Sequence, residues 1–240
     1  MSQSDFALWV YLSRTPLLWL TLTIFVYVLA DRISAKLNRN PLANPVLHSV
    51  WVIGLILSFT HTPYRTYFEG AQFVHFMLGP ATVALAVPLY AHRRTVMRVL
   101  LPMIGALAAG AIAAMVSAVL IAKVLGVPHD VLISLAPKSV TVGVAMGIAE
   151  RTGGDPSLAA VLVLMTGAIG AIIVTPLMNA VRVRDMRARG FALGVAAHGI
   201  GTARAFQVDI MAGTFSGIGM GLNGLLTPIL VPVFLPLLLG

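Results

Sequence analysis

Ala136-Pro137-Lys138-Ser139-Val140-Thr141 interrupts an apolar run extending from Val131 to Ala149, and how the chain passes this point decides the fold. Around it lie uncharged runs from Val99 to Ala122, Ser157 to Val181 and Ile210 to Gly240. Each exceeds the ~20 residues that a helix needs to cross ~30 Å of hydrocarbon. If residues 131–149 also crossed, the loop with Arg182, Arg184, Arg187 and Arg189 would face away from the side that holds Arg93, Arg94 and Arg98. Basic loops gather on the cytoplasmic side. The sequence therefore predicts that residues 131–149 enter and leave on one side, a re-entrant shape tolerated only where protein or a water cavity satisfies the exposed backbone. A full but broken crossing would require an exception to the charge rule.

Composition sets the class. The 240 residues are 58% hydrophobic and 10% charged, with a mean hydropathy of +0.93, whereas soluble domains carry about 25% charged residues. The expected fold is an all-α integral membrane protein, one transmembrane domain over 1–240 with about six to eight membrane segments, discontinuous helices and repeat-related halves. Shorter segments are expected at Thr15 to Ala30, Pro45 to Thr62 and Phe76 to Ala91, an interfacial element with Trp9 and Tyr11 over 2–14, and an amphipathic connection over Tyr64 to Gln72 with Arg65 and Glu69 at i,i+4. The net charge of +8 does not point to nucleic acid, because ten of the sixteen Lys and Arg residues sit in three short stretches between apolar segments. These are Arg32, Lys36 and Arg39, then Arg93, Arg94 and Arg98, then the four-arginine loop. Asp5, not a basic region, precedes the first apolar run, which reads as a retained helix rather than a signal peptide. The absence of cysteine excludes disulfides and thiolate metal sites. No zinc helix, nucleophile elbow or phosphate loop is present, so an enzyme, a cofactor and a metal are not expected.

Ionisable side chains at bilayer depth cost roughly 2.5 to 3.5 kcal/mol and usually mark a pathway. Pro137, placed at a first helical turn, would leave amides and a positive dipole end free for an anion; Lys138 adds a charge, and Ser139 and Thr141 add hydroxyls. That set suits a carboxylate. Ala197-His198-Gly199-Ile200-Gly201-Thr202-Ala203-Arg204 is the second polar island. Unwinding at Gly199 to Gly201 would bring His198, Thr202 and Arg204 to one cavity, with His198 either carrying a proton or packed against a carbonyl. Asn223, inside a spanning run, needs a partner and either touches the site or joins two helices. Glu150 beside Arg151 reads as a local ion pair, followed by a turn with Ser157 as a cap. Leu78-Gly79-Pro80-Ala81-Thr82-Val83 shares Leu-x-Pro-x-hydroxyl-Val with Leu135 to Val140, a sign of a repeat of the transporter kind.

The strings Asn44-Pro45, Gly79 to Tyr90, Pro137 to Thr141, Gly190-Phe191-Ala192-Leu193-Gly194, Ala197 to Arg204 and Gly213-Thr214-Phe215-Ser216-Gly217 together resemble the LrgB/CidB family of bacterial membrane proteins, which is similar to the plastidal glycolate/glycerate translocator. The resemblance covers nearly the whole chain and implies a multi-pass protein of the bacterial cytoplasmic (inner) membrane. It implies two roles. One is secondary transport of small hydroxy- or keto-monocarboxylates of the glycolate, glycerate or pyruvate class, to which the reading of His198 as a proton carrier adds proton coupling. The other is a holin- or antiholin-like regulator of murein hydrolase activity and lysis, acting with a small LrgA/CidA-type membrane partner. Val142-Gly143-Val144 departs from the family's more Thr-Pro-rich stretch, which bears on substrate preference. No family catalytic residue is there to transfer. Joined to the reading of the residues, the expected substrate site is Pro137, Lys138, Ser139, Thr141, His198, Gly199, Gly201, Thr202, Arg204 and Asn223. Association through small-residue faces into a homo-oligomer is also expected.

Overall fold

The computed structural model describes residues 16–77, 80, 83, 84 and 86–240. The interfacial element expected over 2–14, and four of the six residues of the repeat string from Leu78 to Val83, lie outside them. The regular structure of the described residues is helical, in two compact units, Met1–Val87 and Pro88–Gly240.

In the first unit, α1 (Pro16–Lys36) continues beyond the expected Ala30 and carries Lys36 in its last turn, where a cation complements the helix dipole. Its end is tied back by an ion pair between Arg39 and Asp31. A short 3-10 turn (Pro41–Ala43) leads to α2 (Pro45–Phe59), which starts where Asn44 accepts hydrogen bonds from the amides of Val46 and Leu47 with Pro45 in its first turn. Helix α3 (Tyr64–Phe76) is the amphipathic connection that the sequence predicts. It lies against the start of α1, with Tyr67 edge-on to the fully buried Trp19 at 5.9 Å and Gly70 so near the Pro16 carbonyl that a Cβ would stand 2.2 Å from it. No ion pair joins Arg65 to Glu69 among the described residues; both are exposed, where solvation offsets the attraction.

Helix α4 (Ala86–Ala91) crosses the boundary between units and α5 (Arg93–Arg98) follows it. The second unit then contains α6 (Leu100–Val124), α7 (His129–Leu135), α8 (Val142–Thr152), α9 (Pro156–Ala180), α10 (Met186–Val208) and α11 (Ile210–Leu239). Helices α1, α6, α9 and α11 are long and apolar enough to cross a membrane, and no helix of that length is described over the expected Phe76 to Ala91.

Three of these long helices frame the second unit. Lys123 at the end of α6 donates to the carbonyls of Leu238 and Leu239 at the end of α11, and Val96, Met103 and Leu107 pack with Phe215 near the other end, so α6 and α11 run the same way. Helix α9 runs back between those ends. Asp155 caps it by accepting from the amides of Ser157 and Leu158, with Pro156 in the first turn; the cap is Asp155 rather than Ser157, because proline at N1 places the residue before it where a side chain reaches the free amides. Asp185 and Arg187 meet Val99, Pro102 and Met103 around one cleft, so the two basic loops of this unit share an end. That is the arrangement that the charge rule demanded.

Helices α7 and α8 form a hairpin that starts and finishes at the opposite end. The Asp155 amide donates to the Ser134 hydroxyl (2.8 Å), which itself donates to the Asp130 carbonyl, and Gly154 fits against Ser134. Residues 129–152 therefore do not cross. Helix α10 is a second hairpin from the basic end. Its backbone leaves helical geometry at Ala197 (φ −128°, ψ 16°) and His198 (φ 41°, ψ −132°), and both of its arms lie along the same half of α11. Gly190 and Gly194 of the first arm would place a Cβ 2.0 Å from the carbonyls of Ala212 and Ser216, whereas Thr202 and Phe206 of the second arm meet Ser216 and Gly213. Such close approach is what small residues permit between membrane helices. The break comes before Gly199, not over Gly199 to Gly201 as the glycines suggested. Gly201 is helical, and its missing side chain gives room to Leu193 and Ala197 across the fold.

Candidate functional site

The two hairpin tips meet halfway along α11. Asn223 stands thirteen residues after Ile210 and sixteen before Leu239, about 20 and 24 Å along the axis at 1.5 Å per residue. Its Nδ2 donates to the Ser139 carbonyl in the outer tip (3.1 Å) and to the Val195 carbonyl just before the inner break (3.0 Å). The Thr227 hydroxyl donates to Oδ1 at 3.1 Å. Two carbonyls can be satisfied only by the NH₂ side of an amide, so the network fixes its orientation. Asn223 is 1% exposed. Of the two roles open to it, the hydrogen bonds give it that of joining elements.

The outer tip is a run of turns from Ala136 to Val140, and α8 begins only at Val142. Pro137 therefore closes α7 rather than opening a helix, because a helix continued through it would lose a backbone hydrogen bond and meet the ring. The helix N-terminus at this tip belongs to Val142–Val144, preceded by Thr141, whose hydroxyl does not cap it. Lys138 is half-buried. Its Nζ lies 3.3 Å from the Ser139 hydroxyl, and no carboxylate pairs with it among the described residues. Val140 and Ala145 fill the space behind the tip, packed with Met115, Val119, Val163 and Val231.

At the inner tip the His198 ring is 3% exposed, with Nε2 3.0 Å from the Val163 carbonyl of α9. That carbonyl is reachable because residue 167, one turn on, is glycine; a Cβ there would stand 2.7 Å from the imidazole Cε1. Donation from Nε2 leaves Nδ1 as the nitrogen that can exchange a proton. Val163, whose carbonyl holds His198, also packs in one cluster with Val140 of the outer tip, which brings the two polar islands into one neighbourhood. Thr202 donates to the His198 carbonyl (2.8 Å) and shares a hydrogen bond with Ser216 (2.9 Å), so it ties the second arm to its own break and to α11. Gly199 opens onto Met220.

Arg204 stands elsewhere. It lies a turn and a half beyond the break, is buried, and lines a cleft of about 30 Å³ with Thr175, Met186 and Arg189 that includes neither Lys138 nor His198. The structure thus brings together Pro137, Lys138, Ser139, His198, Thr202 and Asn223 and sets Arg204 toward the basic end. The expected Glu150–Arg151 pair is not formed, since adjacent helical residues point about 100° apart. Gly167, Ser216, Thr227 and the Val163 carbonyl were not singled out from the sequence. Thr227 carries a signal in its i+4 spacing from Asn223, and Gly167 carries one in its pairing with Gly170, whose Cβ would meet Ala197 at 2.5 Å.

A family model for the LrgB-like family matches residues 23–237. The chain belongs to the LrgB-like family. Among curated relatives of this LrgB-like protein, the holin-like protein CidB of Staphylococcus epidermidis is 31% identical over 91% of this chain and 95% of its own. The holin-like protein CidB of Staphylococcus aureus is 31% identical with the same coverage. The uncharacterized protein YwbG of Bacillus subtilis is 35% identical over 90% of this chain and 96% of its own. No solved structure matches. Apolar helices and bacterial relatives together make this LrgB-like protein a multi-pass membrane protein of bacterial type.

Proposed function

We propose that this LrgB-like protein carries a small monocarboxylate across the membrane, with two re-entrant hairpins as its gates. The supporting observation is Lys138, a half-buried ammonium at the mid-membrane tip whose hydrogen-bond partner is a neighbouring hydroxyl and not a carboxylate. A cation held there without a counter-ion is costly and favours an anion. Tips built from broken helices also aim free amides and positive dipole ends at such a ligand. In this reading Lys138 holds the carboxylate, Ser139 and Thr141 serve a hydroxyl or keto oxygen of glycolate, glycerate or pyruvate, and His198 Nδ1 takes the coupled proton. Arg204 and Arg189 attract the anion at the basic end, a second station rather than a second hand on the same carboxylate. We read the protein as a non-enzyme. The test is uptake of labelled glycolate and pyruvate by proteoliposomes across a pH gradient. Saturable flux that falls at least about tenfold in Lys138→Gln supports the reading, since loss of a buried charge-assisted contact is worth about 1.5–3 kcal/mol; flux that is unsaturable or indifferent to Lys138 overturns it.

A second reading has a specific observation behind it, the printed name of the relatives. Holin-like proteins named CidB align over nearly the whole chain, which supports a holin-like membrane component regulating murein hydrolase activity and lysis with an LrgA/CidA-type partner. The name favours this role more directly than it favours transport. Expression with and without such a partner, followed by turbidity and dye entry, separates the two: lysis that depends on the partner and ignores Lys138→Gln selects the holin-like role.

A further inference from the structure

We infer that Asn223 and Thr227 form a latch that couples the two hairpins, so that one tip is held while the other opens. The inference rests on the reading of the hairpins as alternating gates and names the residue that coordinates them. Asn223 is a positioning residue. Both of its N–H donors are taken, by Ser139 and Val195, and Thr227 occupies one of the two acceptor positions of Oδ1, so it has no donor left for a carboxylate.

The geometry carries the argument. Both tips need irregular backbone at membrane depth, and the carbonyls freed by those breaks require donors from protein or water. One NH₂ group supplies a donor to each hairpin, on a helix that belongs to neither. Withdrawal of the outer tip frees one N–H and orphans Ser139; withdrawal of the inner tip does the same for Val195. Either motion alone leaves the amide one bond to hold the other hairpin in register, whereas withdrawal of both leaves two N–H groups and two carbonyls unmatched. The latch therefore penalises the doubly open state, the one that leaks. Thr227, one turn along α11, holds Oδ1 and keeps the amide from flipping. The Ser139 and Val195 carbonyls come from backbone, so this coupling depends on tip position and not on which side chains the tips carry.

The cysteine-free chain allows a direct test. Single thiols at Thr141 in the outer tip and Ile200 in the inner tip would be labelled in sealed, oriented vesicles with a membrane-impermeant methanethiosulfonate applied from one face at a time. The coupled protein labels Thr141→Cys chiefly from the outer face and Ile200→Cys chiefly from the basic face. Asn223→Ala should raise labelling of each thiol from the opposite face about tenfold, the scale of shift from losing interhelical hydrogen bonds worth one to two kcal/mol in model peptides. Thr227→Val should move sidedness the same way by less, and Thr227→Ser should restore it. A merely structural role would lower yield or melting temperature without changing sidedness. If Asn223→Ala does not fold, Thr227→Val and Asn223→Gln decide. Wild-type sidedness in every variant that folds overturns the latch. Labelling requires no transported solute, so failed carboxylate flux with shifted sidedness would reject the substrate and keep the latch.

Discussion

The two hairpins reach the same asparagine by different means. The outer one breaks over six residues, Ala136 to Thr141, at a proline, and presents a lysine and hydroxyls at its tip. The inner one breaks at two residues, Ala197 and His198, inside a segment that is otherwise helical. The outer break is made by local chemistry, since Pro137 cannot continue the helix. The inner break is made by packing: a non-glycine residue at φ 41° is strained, and it is held there by the Val163 carbonyl, by Thr202 on its own carbonyl and by the glycines that let both arms lie on α11. A tip opened by proline stays irregular wherever it moves, which suits a ligand site. A tip held open by its neighbours gives up packing and hydrogen bonds whenever it moves.

Glycine substitutions should separate the two most sharply. Gly194→Ala drives a methyl to 2.0 Å from the Ser216 carbonyl; at overpacking costs of about 1–3 kcal/mol or more, it should shift the thermal melt strongly and deplete the monodisperse peak in detergent. Gly167→Ala, which presses on the imidazole, should be next, with about 1–3 kcal/mol lost as the His198 bond to Val163 is broken. Its signature is an altered pH profile of flux with Lys138 intact. On α8 of the outer hairpin, Gly143 and Gly147 face open space, so Gly147→Ala should leave stability unchanged or raise it by up to about 1 kcal/mol. A melt lowered as far as that of Gly194→Ala would erase the distinction between the hairpins.

The smallest effect should come from acid. At the entry of the inner hairpin, hydrogen bonds from Arg187 hold the exposed Asp185 carboxyl below its ordinary range. Its stabilising contribution is therefore present above the usual carboxylate pKa and lost as pH falls through the lowered folded value. Asp185→Asn should flatten that acid limb slightly, because exposed pairs are worth little, while leaving the melt near neutral pH within a few tenths of a kcal/mol; a large change would mean that the cap on α10 governs the fold.

The same contrast marks what was legible in the sequence. Long uncharged runs and two basic loops were enough to require that residues 131–149 turn back, because membrane sidedness is set by charge that a reader can count. Pro137 marked the break, although it ends α7 rather than starting α8. The inner hairpin was harder. Gly199 and Gly201 drew the expected unwinding past His198, whereas Gly201 serves close packing on Leu193 and Ala197. Nothing local to Ala197 and His198 foretells their dihedral angles. Arg204 and Lys138 looked like one carboxylate clamp because both are cations in oily surroundings; which half of a hairpin each occupies is a tertiary fact. Asn223 announced a partner but not that it would have three.

Asp209 also sets how far each hairpin can travel. It is the one residue between α10 and α11, extended and capping α11 through the Ala212 amide. The outer hairpin has a free stretch at both ends, Leu125–Pro128 at its entry and Gly153–Asp155 at its exit. A swinging door needs slack at its hinge. The inner hairpin, held to its post by one residue, has its slack at Val181–Asp185 alone, so of the two proposed gates it has the shorter swing.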